Sequence, residues 1–137
     1  MQGNSVEPAT LKAEVFCHST EDPEIVRALF LRIFREGAEI TEEKLFGHYK
    51  NPILKFSYRT DNKKEIVGLI KNLSGLPVEI EGNKRAFFRL SKSALLEGRF
   101  EEPDLSEDQA VNIEASFGVF SGGDVSEYLR GIMEGPK

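Results

Sequence analysis

The sequence predicts a single α+β domain, with a mainly antiparallel sheet and helices packed on one face. Three observations lead there. Runs that alternate apolar and polar residues with a period of two are interleaved with runs whose apolar residues recur every three or four positions, so strands and helices alternate along the chain. Two strand-like runs, 38–46 and 53–60, are separated by only six residues, too few for the crossover that a parallel pair needs. At 137 residues, 39% hydrophobic and 30% charged, the chain has the size and composition of one globular domain, and no apolar run approaches the ~20 residues of a membrane span.

Residues 1–10, with Gly3, Asn4, Ser5 and Pro8, offer little to bury and are expected to be a flexible lead-in to a domain over 11–134. Leu11, Ala13, Val15 and Cys17 then alternate with Lys12, Glu14, Phe16 and His18, the pattern of a strand with one buried face. Ser19-Thr20-Glu21-Asp22-Pro23 supplies cap residues, acids for a helix N-terminus and a first-turn proline. The helix that follows carries the stripe Val26, Leu29, Phe30, Ile33 and is expected to stop before Gly37. In 53–60, Leu54, Phe56 and Tyr58 alternate with Lys55, Ser57 and Arg59. Asn62 with Glu65 reads as a capping box for a helix bearing Ile66, Val67, Ile70 and Leu73, stopped by Gly75 and Pro77. Val78–Glu81 and Ala86–Leu90 flank the turn signal Gly82-Asn83, and Ser91 caps a brief helix, Lys92–Glu97, closed by Gly98. After an acidic loop at 101–108, Val111, Ile113, Ala115, Phe117 and Val119 form a last strand. Asp124 and Glu127 open a final helix with Val125, Tyr128, Leu129 and Ile132, and 135–137 is a short tail.

The formal net charge of −5 conceals a segregation, because residues 44–99 hold 12 Lys+Arg against 5 Asp+Glu. An acidic protein can thus present a basic face. Within that block Gly47-His48-Tyr49-Lys50-Asn51-Pro52 combines rings that stack, a cation and an Asn-Pro turn, the mixture that single-stranded RNA recognition requires; it also suits a plain hairpin turn. Lys55 and Arg59, at even spacing on one strand, would join Lys63, Lys64, Arg89 and Lys92 as phosphate contacts, unless these cations merely pair with neighbouring acids.

Enzymatic readings find less support. Cys17 and His18 point to opposite faces of their strand, and no third group completes a triad, so a buried structural thiol is expected. One cysteine and two histidines give no zinc set, and the acidic runs Glu42-Glu43 and Glu101-Glu102 lack metal-loop spacing. No cofactor is implied. Met1 to Ser5 lack the basic start and apolar core of a secretory signal, which makes cytoplasmic residence the expectation.

Three stretches, His18–Asp22, Gly47–Ile53 and Phe87–Ala94 with Glu97-Gly98-Arg99, resemble an archaeal family of RNA-binding-domain proteins described as predicted exosome-associated subunits. The resemblance runs from about Leu11 to at least Phe120, with Lys50 where glycine is common in the family's loop. It implies a fold similar to the large-subunit ribosomal protein that holds the small ribosomal RNA, and no established enzyme activity. Together these readings predict a non-enzymatic RNA-binding accessory protein, associated with RNA processing or degradation, whose contacts are His48, Tyr49, Lys50, Asn51, Lys55, Arg59, Lys63, Lys64, Arg89 and Lys92. Its partners would be RNA and an RNA-processing complex, without a membrane. A protein-interaction module that docks a basic partner through its acidic flanks is the alternative.

Overall fold

Residues 5–35, 37–46, 51–104 and 110–134 are described by the structure, a computed structural model. The elements follow in the order β1 (Val6–Cys17), α1 (Pro23–Leu31), β2 (Thr41–Phe46), β3 (Pro52–Thr60), α2 (Lys63–Asn72), β4 (Glu79–Glu81), β5 (Arg85–Ser91), α3 (Lys92–Leu96), β6 (Ala110–Val119) and α4 (Val125–Glu134). Their strands make one six-stranded antiparallel sheet of order β2-β3-β1-β6-β5-β4, in an α+β fold as expected. Among the described residues no helix is long and apolar enough to cross a membrane. Within this one domain the chain gathers into two compact units.

The first unit takes residues up to Lys12, Arg59–Phe88 and those from Ile113 onward, and contains α2 packed on α4. Ile66, Leu69, Ile70 and Leu73 from the α2 segment and Val125 and Leu129 from α4 are buried together with Leu11, Phe88, Ile113 and Phe117 of the strands. The capping box of α2 closes through a third residue. Asn62 Oδ1 accepts from the Glu65 N–H at 2.9 Å, while the Glu65 carboxylate accepts from Thr60 Oγ1, which in turn accepts from the Asn62 N–H.

Asn83 organises the other end of this unit. With φ of 62° at Gly82 and 52° at Asn83, the β4–β5 turn has both central residues left-handed, as a tight hairpin turn requires. Its side chain then reaches α4, accepting from the Val125 N–H at 2.8 Å and donating to the Gly123 carbonyl at 3.1 Å. An N-terminal helix amide is thereby satisfied by a residue 42 positions away.

β1 begins five residues before the predicted start at Leu11. Ser5 O accepts from the Phe120 N–H at 2.7 Å, and Val6 and Pro8 are buried, so residues 5–10 find partners that no local pattern reveals. The inward set also changes parity, from Val6 and Pro8 to Leu11, Ala13, Val15 and Cys17, as one inserted residue would cause. That shift hides the early strand from a period-two reading.

The second unit, Ala13–Tyr58 with Arg89–Asn112, holds α1 against α3. Asp22 caps α1 by accepting from the Glu24 N–H at 2.9 Å, and Pro23 occupies the first turn. The stripe Val26, Leu29, Phe30, Ile33 is buried, and α1 ends at Leu31, before Gly37, so that Ile33 lies just beyond the helix. From Arg32 to Phe34 the amides bond three residues back, tightening the last turn so that Phe34 packs its ring 5.1 Å from Phe30 and 4.3 Å from Tyr58. The Ala38 N–H then bonds to Arg35 O, which keeps residues 38–40 off the sheet, and β2 starts at Thr41 instead of Ala38. The Arg32 guanidinium donates to the carbonyls of Leu95 and Leu96 at 2.6 and 3.0 Å, satisfying the C-terminal end of α3.

In each unit only one face of the strands is buried. The opposite face carries Lys55, Ser57 and Arg59 on β3, and Arg85, Phe87 and Arg89 on β5.

Two stability outcomes follow. Leu29→Ala should cost about 2–5 kcal/mol in denaturant unfolding, because Leu29 is 2% exposed and its loss leaves a cavity under α1. Gly123→Ala should destabilise markedly while Gly118→Ala is nearly neutral, since a Cβ at 123 would lie 2.3 Å from the Ser5 carbonyl oxygen and one at 118 only 3.5 Å from the Phe120 ring. Thermal melts of both variants check the contrast.

Candidate nucleic-acid interface

The described contact residues divide according to what already holds them. Lys55 lies half-buried on β3 with Glu14 and Glu43 each 3.8 Å from its ammonium. Lys63 pairs with Glu7 at 3.3 Å and donates to Pro8 O at 3.1 Å. On β5, Arg85 binds Glu81 at 2.8 Å and approaches Glu114 at 3.7 Å. Three cations of the block are therefore answered by carboxylates, of which only Glu81 lies within residues 44–99, and the basic stripe expected from Lys55 onward is interrupted. Arg59, Lys64 and Arg89 are exposed and have no ion-pair partner among the described residues. Asn51 is exposed just before β3, whereas His48, Tyr49 and Lys50 lie outside the described residues.

Lys92 departs most from the expectation. It is 7% exposed, and its ammonium donates to Phe16 O at 2.6 Å and to both Glu21 carboxylate oxygens at 3.0 and 3.1 Å. Those bonds use the three donors of the ammonium, so Lys92 serves the fold and leaves the list of phosphate contacts. The sequence placed it next to a helix cap without showing that α3 turns it inward.

Glu21 also accepts from the His18 N–H at 3.0 Å, and the Glu21 N–H bonds to His18 O at 2.9 Å. The motif His18–Asp22 is thus a closed turn leading into the cap of α1. Burial pushes the Glu21 carboxyl up, but the His18 N–H and the Lys92 ammonium outweigh it and leave the group below its ordinary value. Cys17 sits under this turn, 2% exposed, with its thiol pushed up first by burial and then by the Glu21 carboxylate, as suits an unreactive core residue.

The β2–β3 hairpin supplies a residue that the sequence reading overlooked. Every residue of β2 except Leu45 is exposed, and Phe46, at 67%, is the most exposed of the large apolar side chains among the described residues. Lys44 Nζ stands 6.0 Å from the centre of its ring. The signal was present in the composition of Thr41–Phe46, where neither alternating set is apolar; such a strand lies at an edge, and an aromatic on it faces solvent. Among the described residues no group of three or more His, Cys, Asp or Glu is placed to hold a metal ion.

A family model described as RNA binding matches residues 10–117. The chain belongs to this RNA-binding family. Solved structures similar to it include the DUF54 protein Mth689 from Methanothermobacter thermautotrophicus, at 21% identity and a TM-score of 0.74 over 92% of this chain and 98% of that one. A DUF54 protein from Archaeoglobus fulgidus follows at 21% and 0.70, over 92% and 99%. A UPF0201 protein from Methanococcus jannaschii shares 14% identity at 0.55, over 93% and 95%. At these identities the likeness concerns the fold. No curated protein matches the sequence.

The Glu21–Lys92 pair gives a stability outcome with a definite sign. Because the Glu21 carboxyl is lowered in the folded protein, its contribution is complete above the ordinary glutamate value of about 4.3 and is lost as the pH falls through the depressed folded value. Glu21→Gln should flatten that part of the acid limb of a stability–pH curve. Glu21→Ala should cost about 3–5 kcal/mol by stranding a buried ammonium, more than Lys92→Met, which leaves a carboxylate that water can still reach. Urea denaturation at pH 7 and pH 4 tests both orderings.

Proposed function

We propose that this protein is a non-enzymatic RNA-binding accessory factor that engages RNA through exposed loops and strand ends, not a catalytic pocket. The observation that carries the proposal is the family match over residues 10–117. Exposed Arg59, Lys64 and Arg89, unpaired among the described residues, supply cations still available to phosphates. Asn51 and the sequence-adjacent His48, Tyr49 and Lys50 supply the residue types for base stacking and hydrogen bonding. Lys55 and Lys63, already held by carboxylates, contribute less. Association with an exosome-type complex in RNA processing or degradation, in the cytoplasm, belongs to the same proposal. So does the similarity to the ribosomal protein that holds the small ribosomal RNA, since an antiparallel sheet with helices on one side leaves loops and strand ends free for RNA.

Filter-binding titrations with single-stranded and structured RNA across a salt series test this reading. Neutralising Arg59, Lys64 or Arg89 should weaken binding to all sequences alike and lower the salt slope by about 0.7–0.9 per lost contact. Lys55→Gln should change the slope little, because two carboxylates already answer that charge. Absence of RNA affinity in the wild-type protein at low salt would refute the proposal.

A further inference from the structure

The geometry of the β2–β3 hairpin points to a base-stacking subsite on Phe46, served by Lys44, that takes unpaired nucleotides of single-stranded RNA. This inference rests on the RNA reading above and adds a ligand class and a place to it. In the antiparallel register Lys44 lies opposite Leu54 and Phe46 opposite Pro52, so these four side chains share one face of the hairpin. Glu42 lies opposite Phe56 on that face, and Phe56 is 1% exposed. Moving outward along β3, burial gives way to a half-buried Leu54 and an exposed Pro52. An apolar strip thus emerges from the core and ends in the open Phe46 ring.

An exposed phenylalanine at a strand end adds little to the fold, because the gain from burying such a ring is not realised. What the site offers is an exposed ring with an ammonium over it, 6.0 Å from the ring centre on a flexible stem. A base stacked on the ring leaves its phosphodiester within reach of the flexible Lys44 stem, and the pairing tolerates any base because every base has a π-face. Base-paired nucleotides are stacked on one another and cannot present that face, so unpaired ones are selected. Glu42 sets a direction: its carboxylate repels phosphates at the covered end of the strip, so the RNA strand leaves over the Phe46 and Pro52 end. The same charges, Glu42, Glu43 and Lys44, discourage a partner strand from adding to this edge, which favours a nucleic acid over a protein here.

The test exploits the absence of tryptophan from the chain, which makes Phe46→Trp a single fluorescent reporter on the strip. A ten-nucleotide oligouridylate, an oligoadenylate and a duplex made from the two are titrated against wild type, Phe46→Ala and Phe46→Trp. Far-UV circular dichroism confirms that the variants are folded. Phe46→Ala should bind the single strands about 5- to 150-fold more weakly with an unchanged salt slope, whereas Phe46→Trp retains affinity and is quenched as the single strands bind. Wild type should prefer the single strands to the duplex. If wild type binds RNA but Phe46→Ala binds equally well, or the tryptophan remains unquenched at saturation, the subsite is refuted while the RNA-binding reading stands. Equal affinity for the duplex refutes the ligand class. Absence of binding by wild type to every probe at low salt removes the broader reading and this one together.

Discussion

One buried ion pair holds together the parts of the second unit that sequence separates most widely. Lys92 stands at the start of α3, Glu21 in the turn before α1, and Phe16, whose carbonyl also receives the ammonium, near the end of β1. A charge that is only 7% exposed is costly unless every donor is met, and here all three are. Satisfaction fixes geometry. The bonds to Glu21 place the turn from His18 to Asp22, the turn places the cap of α1, and the Arg32 bonds to Leu95 and Leu96 tie the far end of α1 to α3. Two of the stretches that carry the family resemblance, one around Glu21 and one around Lys92, thus meet in the interior and act on the fold. Of the third, 47–53, only Asn51 to Ile53 are among the described residues, and there Asn51 and Pro52 are exposed at the start of β3.

Charge on the sheet and at the start of α2 obeys a similar rule of compensation. Lys55 has Glu14 and Glu43 beside it, Arg85 has Glu81 and Glu114, and Lys63 has Glu7. Exposed pairs of this kind add little stability, typically under about 1 kcal/mol, but they determine the field that a polyanion meets. Three of these acids, Glu7, Glu14 and Glu114, come from β1 and β6, outside the basic segment of the chain. Segregation along the sequence is therefore undone in space, and the cations left for phosphates are fewer than the composition of residues 44–99 suggests.

The sequence made the element order and most of the core legible because local periodicity reports burial directly. The stripe Val26, Leu29, Phe30, Ile33 is buried as its spacing predicts, as are Ile66, Ile70 and Leu73 of the second stripe, whose Val67 is only half-buried; Ser91 and Asn62 cap the helices they precede. What escaped depends on partners distant in sequence. The strand character of Val6–Thr10 requires Phe120, the start of α4 requires Asn83, and the inward turn of Lys92 requires Glu21. Parity concealed the first of these and distance the other two. The candidate site was only partly legible. Alternation put Lys55 and Arg59 on the open face correctly but carried no information on which carboxylates would stand beside them. The exposure of Phe46 was implicit in the polar character of both faces of β2, a sign that is read only when the strand is recognised as an edge.

That edge joins the fold to the function. A terminal strand exposes unpaired backbone donors and acceptors, and the usual remedy is to charge it, as Glu42, Glu43 and Lys44 do here. A hydrophobic ring two residues after Lys44 works against that remedy, since an exposed aromatic invites the association that the charges suppress. Its retention at 67% exposure makes sense if the ligand is itself charged and aromatic. Such a ligand gains from the ring without needing the backbone edge, and its phosphates meet Lys44 before they meet the acids. Under the proposed stacking, the composition of β2 would reject a neighbouring strand and accept a nucleotide with the same six residues, a selectivity produced by placing one cation between the carboxylates and the ring.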